Sequence, residues 1–198
     1  MISFPENISL EDNRVLLRPL EQSDLVHLLP FAMNEADIWS FSPVIPAGEQ
    51  GMKEYIEDTI KQRGAKKEYP FIVFDKERNN YAGSTRFYDI QLNNQTVQLG
   101  YTWYGKSFQR TGLNRHCKLL LLTYAFEEWG MERVEFRAHA RNERSIEAMK
   151  AIGCTVEGIF RSFVPMSTGN RRDTIVLSIL KEEWLREVKK NLIKKIYV

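Results

Sequence analysis

The chain has 198 residues, 43% of them hydrophobic, with two cysteines and a formal net charge of +2. That length supplies enough apolar side chain for a sizeable core, so a single domain over 1–198 is expected, and the mild charge does not point to nucleic acid. No apolar run approaches a membrane span and residues 1–12 lack the basic and apolar regions of a secretory signal, so the expected location is cytoplasmic, with Cys117 and Cys154 as free thiols in or near the core.

In chain order, residues 14–20 alternate as a strand ending at Pro19, and Ser23 or Asp24 is placed to cap the apolar segment 25–31. The stretch 39–51 carries Pro43, Pro46, Gly48 and Gly51 and reads as a loop; its Trp39, Phe41 and Pro43 either line a substrate pocket or pack the loop onto the core. A helix over 52–61, a charged connector at 62–68 and strands at 71–74, 81–90 and 96–103 follow. Turns at 75–80 and 91–94 make these strands an antiparallel meander. Leu99, Tyr101 and Trp103 fall at every second position, the half-buried strand period.

A polar turn then leads into a long helix from Leu113 to Trp129, apolar on most faces and stopped by Gly130. The strand 133–140 puts Val134, Phe136, Ala138 and Ala140 on one face and Glu135, Arg137 and His139 on the other. Because a helix precedes it, its pairing with the earlier strand should be parallel. Asn142 caps a helix over 145–152 closed by Gly153, and 154–164 and 174–180 form a hairpin around 167–172. The tail 182–198 places Leu185, Val188, Leu192 and Ile196 at helical spacing. A charged amphipathic helix packing on its own domain or on a second subunit is expected, with membrane-surface binding the sharper alternative. There is no internal repeat and no low-complexity segment.

The turn before the long helix is the first stretch with chemistry in it. A helix that starts directly after a strand presents free backbone N–H groups and the positive end of its dipole, which together bind anions. Gly112 lets a ligand approach the backbone and Arg110 adds positive charge, so Gln109-Arg110-Thr111-Gly112 offers a diphosphate a cradle of main-chain amides. The Walker pattern and the three-glycine dinucleotide fingerprint are both absent. A plain polar turn before a core helix is the other reading of the same residues.

Four segments together resemble the GNAT superfamily of acetyl-coenzyme A dependent N-acetyltransferases, and within it the ribosomal-protein alanine (RimJ/RimL-type) branch. They are Arg-Val-Leu-Leu-Arg-Pro-Leu at 14–20; Gln109-Arg110-Thr111-Gly112-Leu113-Asn114, similar to the family's Gln/Arg-x-x-Gly-x-Gly/Ala signature; Asn142-Glu143-Arg144-Ser145 running through Ala148 to Gly153; and Arg172-Asp173-Thr174 running through Ser178-Ile179-Leu180 to Glu183-Trp184. Asn114 departs from the signature's small last residue, although its side chain can donate hydrogen bonds and face the cofactor.

The resemblance implies a mixed α/β fold with helices on both faces of a largely antiparallel sheet that opens at one splayed parallel pair. It implies acetyl-CoA as cosubstrate without a metal, with pantetheine along 101–104 (Trp103 and Tyr104 among its contacts), the diphosphate on Gln109, Arg110, Thr111, Gly112, Leu113 and Asn114, and Asn142 reaching the pantetheine arm. Ser145 is the residue it sets near the sulfur as proton donor, and a cap of the helix start is the alternative role. A backbone N–H near Trp103 would take the oxyanion. Asp89, Tyr88, Glu135, His139 or an ordered water chain each remain open as general base. The expected acceptor is a protein N-terminal amine. The alternatives are a small amine, such as a polyamine or aminoglycoside, and a CoA-binding module without catalysis.

Overall fold

The computed structural model describes residues 3–166 and 169–197. Eight strands form one mixed sheet: β1 (Leu10–Glu11), β2 (Val15–Pro19), β3 (Tyr69–Asp75), β4 (Asn80–Gln91), β5 (Thr96–Tyr104), β6 (Arg133–His139), β7 (Thr155–Pro165) and β8 (Arg171–Leu180). Their order is β1-β2-β3-β4-β5-β6-β8-β7, and only β5 and β6 run parallel. The helices are α1 (Leu25–Asn34), α2 (Gly48–Gly64), α3 (Leu113–Thr123), α4 (Glu143–Ala151), the short α5 (Lys181–Glu183) and α6 (Lys189–Tyr197). Wide turns of π type, Tyr124–Glu128 and Trp184–Val188, extend α3 and join α5 to α6. Helices cover both faces, as the family resemblance implies. On one, Phe31 of α1 and Tyr55 of α2 reach Trp103 of β5; on the other, Tyr124 and Trp129, beyond α3, meet Phe87 of β4.

The parallel ladder is short. It joins Thr96, Val97 and Gln98 to Arg133, Val134 and Glu135, and beyond that the two strands separate. The cause lies in β5, where the ladder to β4 steps from Arg86–Gly100 to Ser84–Trp103, so two residues on β5 oppose one on β4. This is a β-bulge, and Tyr101 occupies it with φ of +48°. The bulge also reverses the parity of the strand. Leu99, opposite Phe87, faces α3, whereas Trp103 four residues on faces α1 and α2. The strict alternation expected of Leu99, Tyr101 and Trp103 therefore fails at Tyr101.

Four other expectations need correction. The stretch 39–51 is not all loop: Trp39 ends a 3-10 turn (Ala36–Trp39) and α2 starts at Gly48 rather than at 52. Gly51 lies inside that helix, where the lack of a Cβ lets the backbone of Pro46 pack against it, 3.0 Å from where that Cβ would stand. Neither Ser23 nor Asp24 caps α1 through its side chain. The buried Asp24 carboxylate instead accepts from Arg18 Nη1 and Nη2, at 2.8 and 2.6 Å, and from the N–H of Glu21. The polar turn after β5 buries Phe108, within the 3-10 turn Lys106–Phe108. The helix after Asn142 starts at Glu143, two residues before 145. Of the expected turn at 167–172, residues 167 and 168 lie outside the described residues.

The tail packs on its own chain. Trp184, Val188 and Leu192, four residues apart, are buried with Ile196 partly covered, and the Trp184 ring stacks on Phe126 at 5.7 Å. Leu185, expected on the apolar face, is 61% exposed because that four-residue repeat starts at Trp184 and leaves its neighbour outside. Lys189 binds the Glu127 carboxylate, and Arg115 of α3 donates to the carbonyl of Lys195. Among the described residues no helix is long and apolar enough to cross a membrane. Trp184→Ala empties a fully buried site and should lower stability by about 3–5 kcal/mol, read as the unfolding midpoint in denaturant.

Candidate active site

Past Gln98 and Glu135 the divergence of β5 and β6 opens a wedge whose β5 side offers main-chain groups with no ladder partner on β6. An extended amide-bearing chain entering there can bond to the strand as a further strand would. At the mouth of the wedge the chain turns from β5 into α3. Arg110 and Gly112 take φ of +61° and +88°, which turns successive N–H groups toward one side. Among the described residues the N–H groups of Arg110, Thr111, Gly112 and Asn114 have no protein acceptor, and that of Leu113 meets only Thr111 Oγ1 at 3.4 Å. The space where a Gly112 Cβ would stand is open, so an anion can reach these amides at the positive end of an 11-residue helix.

Two segments read separately in the sequence meet at this mouth. Gln109 donates through Nε2 to the carbonyl of Tyr104 at 2.9 Å and accepts at Oε1 from Arg144 Nη1 at 2.7 Å, tying the end of β5 to the first turn of α4. Asn142 caps that helix: its Oδ1 accepts the N–H of Ser145 at 3.1 Å, and its amide nitrogen, without a protein acceptor among the described residues, is the donor it can offer a ligand. The Ser145 hydroxyl is half-buried beside it and has no protein partner among the described residues. Asn114 does not turn toward a cofactor with its side-chain carbonyl, since Oδ1 accepts from the buried Tyr104 hydroxyl at 3.2 Å.

The opposite side of the wedge is aromatic and basic. Trp39 and Phe31 meet Trp103 edge-on, with ring centres at 4.9 and 5.6 Å, and buried Arg86 lies over the Tyr101 ring at 4.1 Å. Of the three loop residues, Trp39 packs into the core and Pro43 is half-buried, while Phe41 stays partly exposed against His139 and accepts from Arg172 Nη1 through its carbonyl. His139, Arg141, Asn170, Arg171, Arg172 and Asp173 line a cleft of about 400 Å³ at the ends of β6 and β8. Arg86 carries no periodic or motif signal in the sequence, and Arg172 enters there only as the first residue of the closing-strand segment, with no role attached.

The four side chains considered as general base are differently placed. Glu135 is paired with Arg133 and Arg137 at 2.9 and 2.7 Å, and Asp89 accepts from Gln91 and Gln98. Burial pushes the Tyr88 hydroxyl well above its ordinary value. Burial, then Arg172 and Arg141, lower His139 below its usual 6.5, so it is neutral at pH 7, but Nδ1 already accepts the Arg141 N–H at 3.0 Å and the proton therefore sits on Nε2. All four are thus already engaged or protonated: both oxygens of Glu135 and of Asp89 accept from neighbouring side chains, Tyr88 keeps its proton, and His139 uses Nδ1. Among the described residues no three His, Cys, Asp or Glu side chains gather at metal-ligating distance.

The family model of the acetyltransferase (GNAT) domain matches residues 14–155. This chain is a GNAT acetyltransferase. It is 26% identical over 171 residues to a Bacillus subtilis protein named "Putative ribosomal N-acetyltransferase YdaF", covering 85% of this chain and 91% of the relative. A GCN5-related N-acetyltransferase from Brucella melitensis superposes with a TM-score of 0.89 at 24% identity, over 97% of this chain and 86% of that one. A ribosomal-protein-S5-alanine acetyltransferase from Vibrio fischeri shares the fold at a TM-score of 0.73 and 20% identity, over 90% and 99%. GNAT domains take their acetyl group from acetyl-CoA, and the free amides around Gly112 fit its diphosphate.

Two outcomes follow from this geometry. Asn142→Ala should lower stability by about 1 kcal/mol through the lost cap, whereas Asn142→Asp keeps the cap; a fall in acetyl-CoA affinity common to both variants isolates the lost amide donor. For His139, the unfolded chain takes up its proton near 6.5 and the native state only at lower pH, so stability falls as pH drops through 6.5. His139→Gln should flatten that part of the curve of melting midpoint against pH.

Proposed function

We propose that this acetyltransferase acetylates the N-terminal α-amino group of a protein. The charge of the acceptor side carries the reading: Arg141, Arg171 and Arg172 surround the cleft against the single carboxylate of Asp173, an arrangement that repels polycationic amines such as polyamines. A peptide terminus brings one amine flanked by carbonyl oxygens. Arg172 Nε, buried and without a partner among the described residues, is an unused donor for such a carbonyl. The ribosomal name of the Bacillus relative and the resemblance to the ribosomal-protein alanine branch point the same way.

In this reading pantetheine lies along 101–104, beside Trp103 and Tyr104, with the diphosphate on the amides of 109–114. The neutral amine attacks the thioester carbonyl from the aromatic side, and a main-chain N–H near Trp103 holds the oxyanion. The Ser145 hydroxyl offers the departing sulfur a hydrogen bond. With no side chain set up as base, the amine loses its proton to water, and the rate at subsaturating acceptor should follow the ionisation of the acceptor amine.

Acetyl-CoA at one hundred times its Kd should stabilise the native state by about 2.7 kcal/mol, raising the melting midpoint by roughly 5–10 °C. Gly112→Val should abolish most of that shift, since a branched side chain both resists φ of +88° and fills the anion's path. An unchanged midpoint in the parent protein would remove the coenzyme from the wedge. Ser145→Ala should lower the saturated rate by roughly 10²-fold with coenzyme affinity held. Turnover of peptides against polyamines at equal concentration decides the acceptor, and faster turnover of polyamines would overturn the protein-terminus reading.

A further inference from the structure

Lys118 lies on α3 where the helix backs the wedge, and it is only 5% exposed. Its Nζ donates to Thr102 Oγ1 at 3.0 Å, and that oxygen is 2.7 Å from Thr85 Oγ1. On the other side the ammonium stands 5.8 Å from the centre of the Phe136 ring. Thr102 belongs to β5 and Phe136 to β6, each beyond the last paired residues of the parallel ladder. The cation is therefore held between the diverging strands, with one hydroxyl acceptor for three N–H donors.

No acidic side chain pairs with Lys118 among the described residues. The ionisable groups nearest it are Cys117 on its own helix, whose thiol burial raises to about 12, and Cys154 after α4, raised further by the same cause. Desolvation without a counter-ion draws Lys118 itself down to about 8. If the side chain served only to fill space, leucine or methionine would do so without a buried charge. A desolvated cation gains most from an anion delivered to it in the same low-dielectric space.

We infer that Lys118 is a catalytic residue whose ammonium meets the coenzyme sulfur in the wedge and holds it as a thiolate when it departs. This rests on acetyl-CoA lying in the wedge. As the acceptor nitrogen bonds to the carbonyl carbon, the carbonyl electron pair moves to oxygen and then returns. The C–S bond breaks with its pair on sulfur, the amine's proton passes to water, and Lys118 keeps its own proton. The ammonium supplies full charge where Ser145 supplies only a neutral hydroxyl, and it acts on charge that exists only late in the reaction.

The experiment titrates CoA bound to the protein and follows the ultraviolet absorbance of the thiolate, with the desulfo-CoA complex as the blank that cancels tyrosine and cysteine. In the parent protein the bound thiol should ionise about 1–3 pH units below an ordinary thiol near 8.5. Lys118→Met keeps the stem and removes the charge; its bound thiol should titrate at or above the free value, and kcat should fall about a hundredfold with KM for acetyl-CoA little changed. Thr102→Val keeps the ammonium without its hydroxyl partner and should retain the lowered titration, which separates the charge from the packing. A parent complex whose thiol ionises no lower than free CoA overturns the inference, as does an equal lowering in Lys118→Met. Failure of both CoA and desulfo-CoA to raise the parent's melting midpoint would instead overturn the coenzyme reading, and this inference with it.

Discussion

Three residue pairs hold β5 to β6, and the site depends on the ladder ending there. A parallel pair continued to Tyr104 and His139 would consume the main-chain groups that a pantetheine arm requires. What separates the strands is one extra residue in β5, placed at Tyr101 at the expense of a left-handed backbone angle for a bulky side chain. Packing on both faces keeps them apart. Trp103 is drawn toward Trp39 and Phe31 on one face, while Lys118 and Phe136 occupy the gap from the other. The opening is thus a property of the core, and the ligand is not needed to create it.

Charge is divided across that opening. The coenzyme side presents main-chain amides, the N-terminus of α3 and one buried ammonium, all suited to an anionic cosubstrate. The acceptor side presents arginines and neutral aromatic rings around Trp103 and Tyr101. Glu68 neutralises Arg86, and Arg133 with Arg137 neutralise Glu135, so these carboxylates add little attraction for a polycation. Gln109 joins the two sides mechanically, since one amide side chain bonds both the end of β5 and the first turn of α4.

The terminal helix serves this site from a distance. It buries Trp184, Val188 and Leu192 and ties itself to α3 and its π extension through Glu127, Phe126 and Arg115. The helix that presents the free amides is therefore braced from behind. Gly153, with φ of +104° and Val188 2.8 Å from where a Cβ would stand, lets the turn after α4 fit beneath the same helix. Loss of the tail would be felt first as looser positioning of α3.

Local rules made much of this legible in the amino-acid sequence. Strand and helix periods, turn residues and the polar segment 109–114 were enough to place the meander, the crossover to β6, the helix start after Gly112 and the cap at Asn142, because each is decided by neighbours within a few positions. The family pattern then joined the separate segments into one activity. What needed the folded chain were contacts between residues far apart. The bulge at Tyr101 reverses a strand's parity through pairing with β4, and no alternation of residue types announces it. Gln109 and Arg144 meet only when α4 docks beside the turn. Lys118, an ordinary lysine in a helical sequence, becomes a buried cation only because α3 places it between two diverging strands, with no carboxylate paired to it among the described residues.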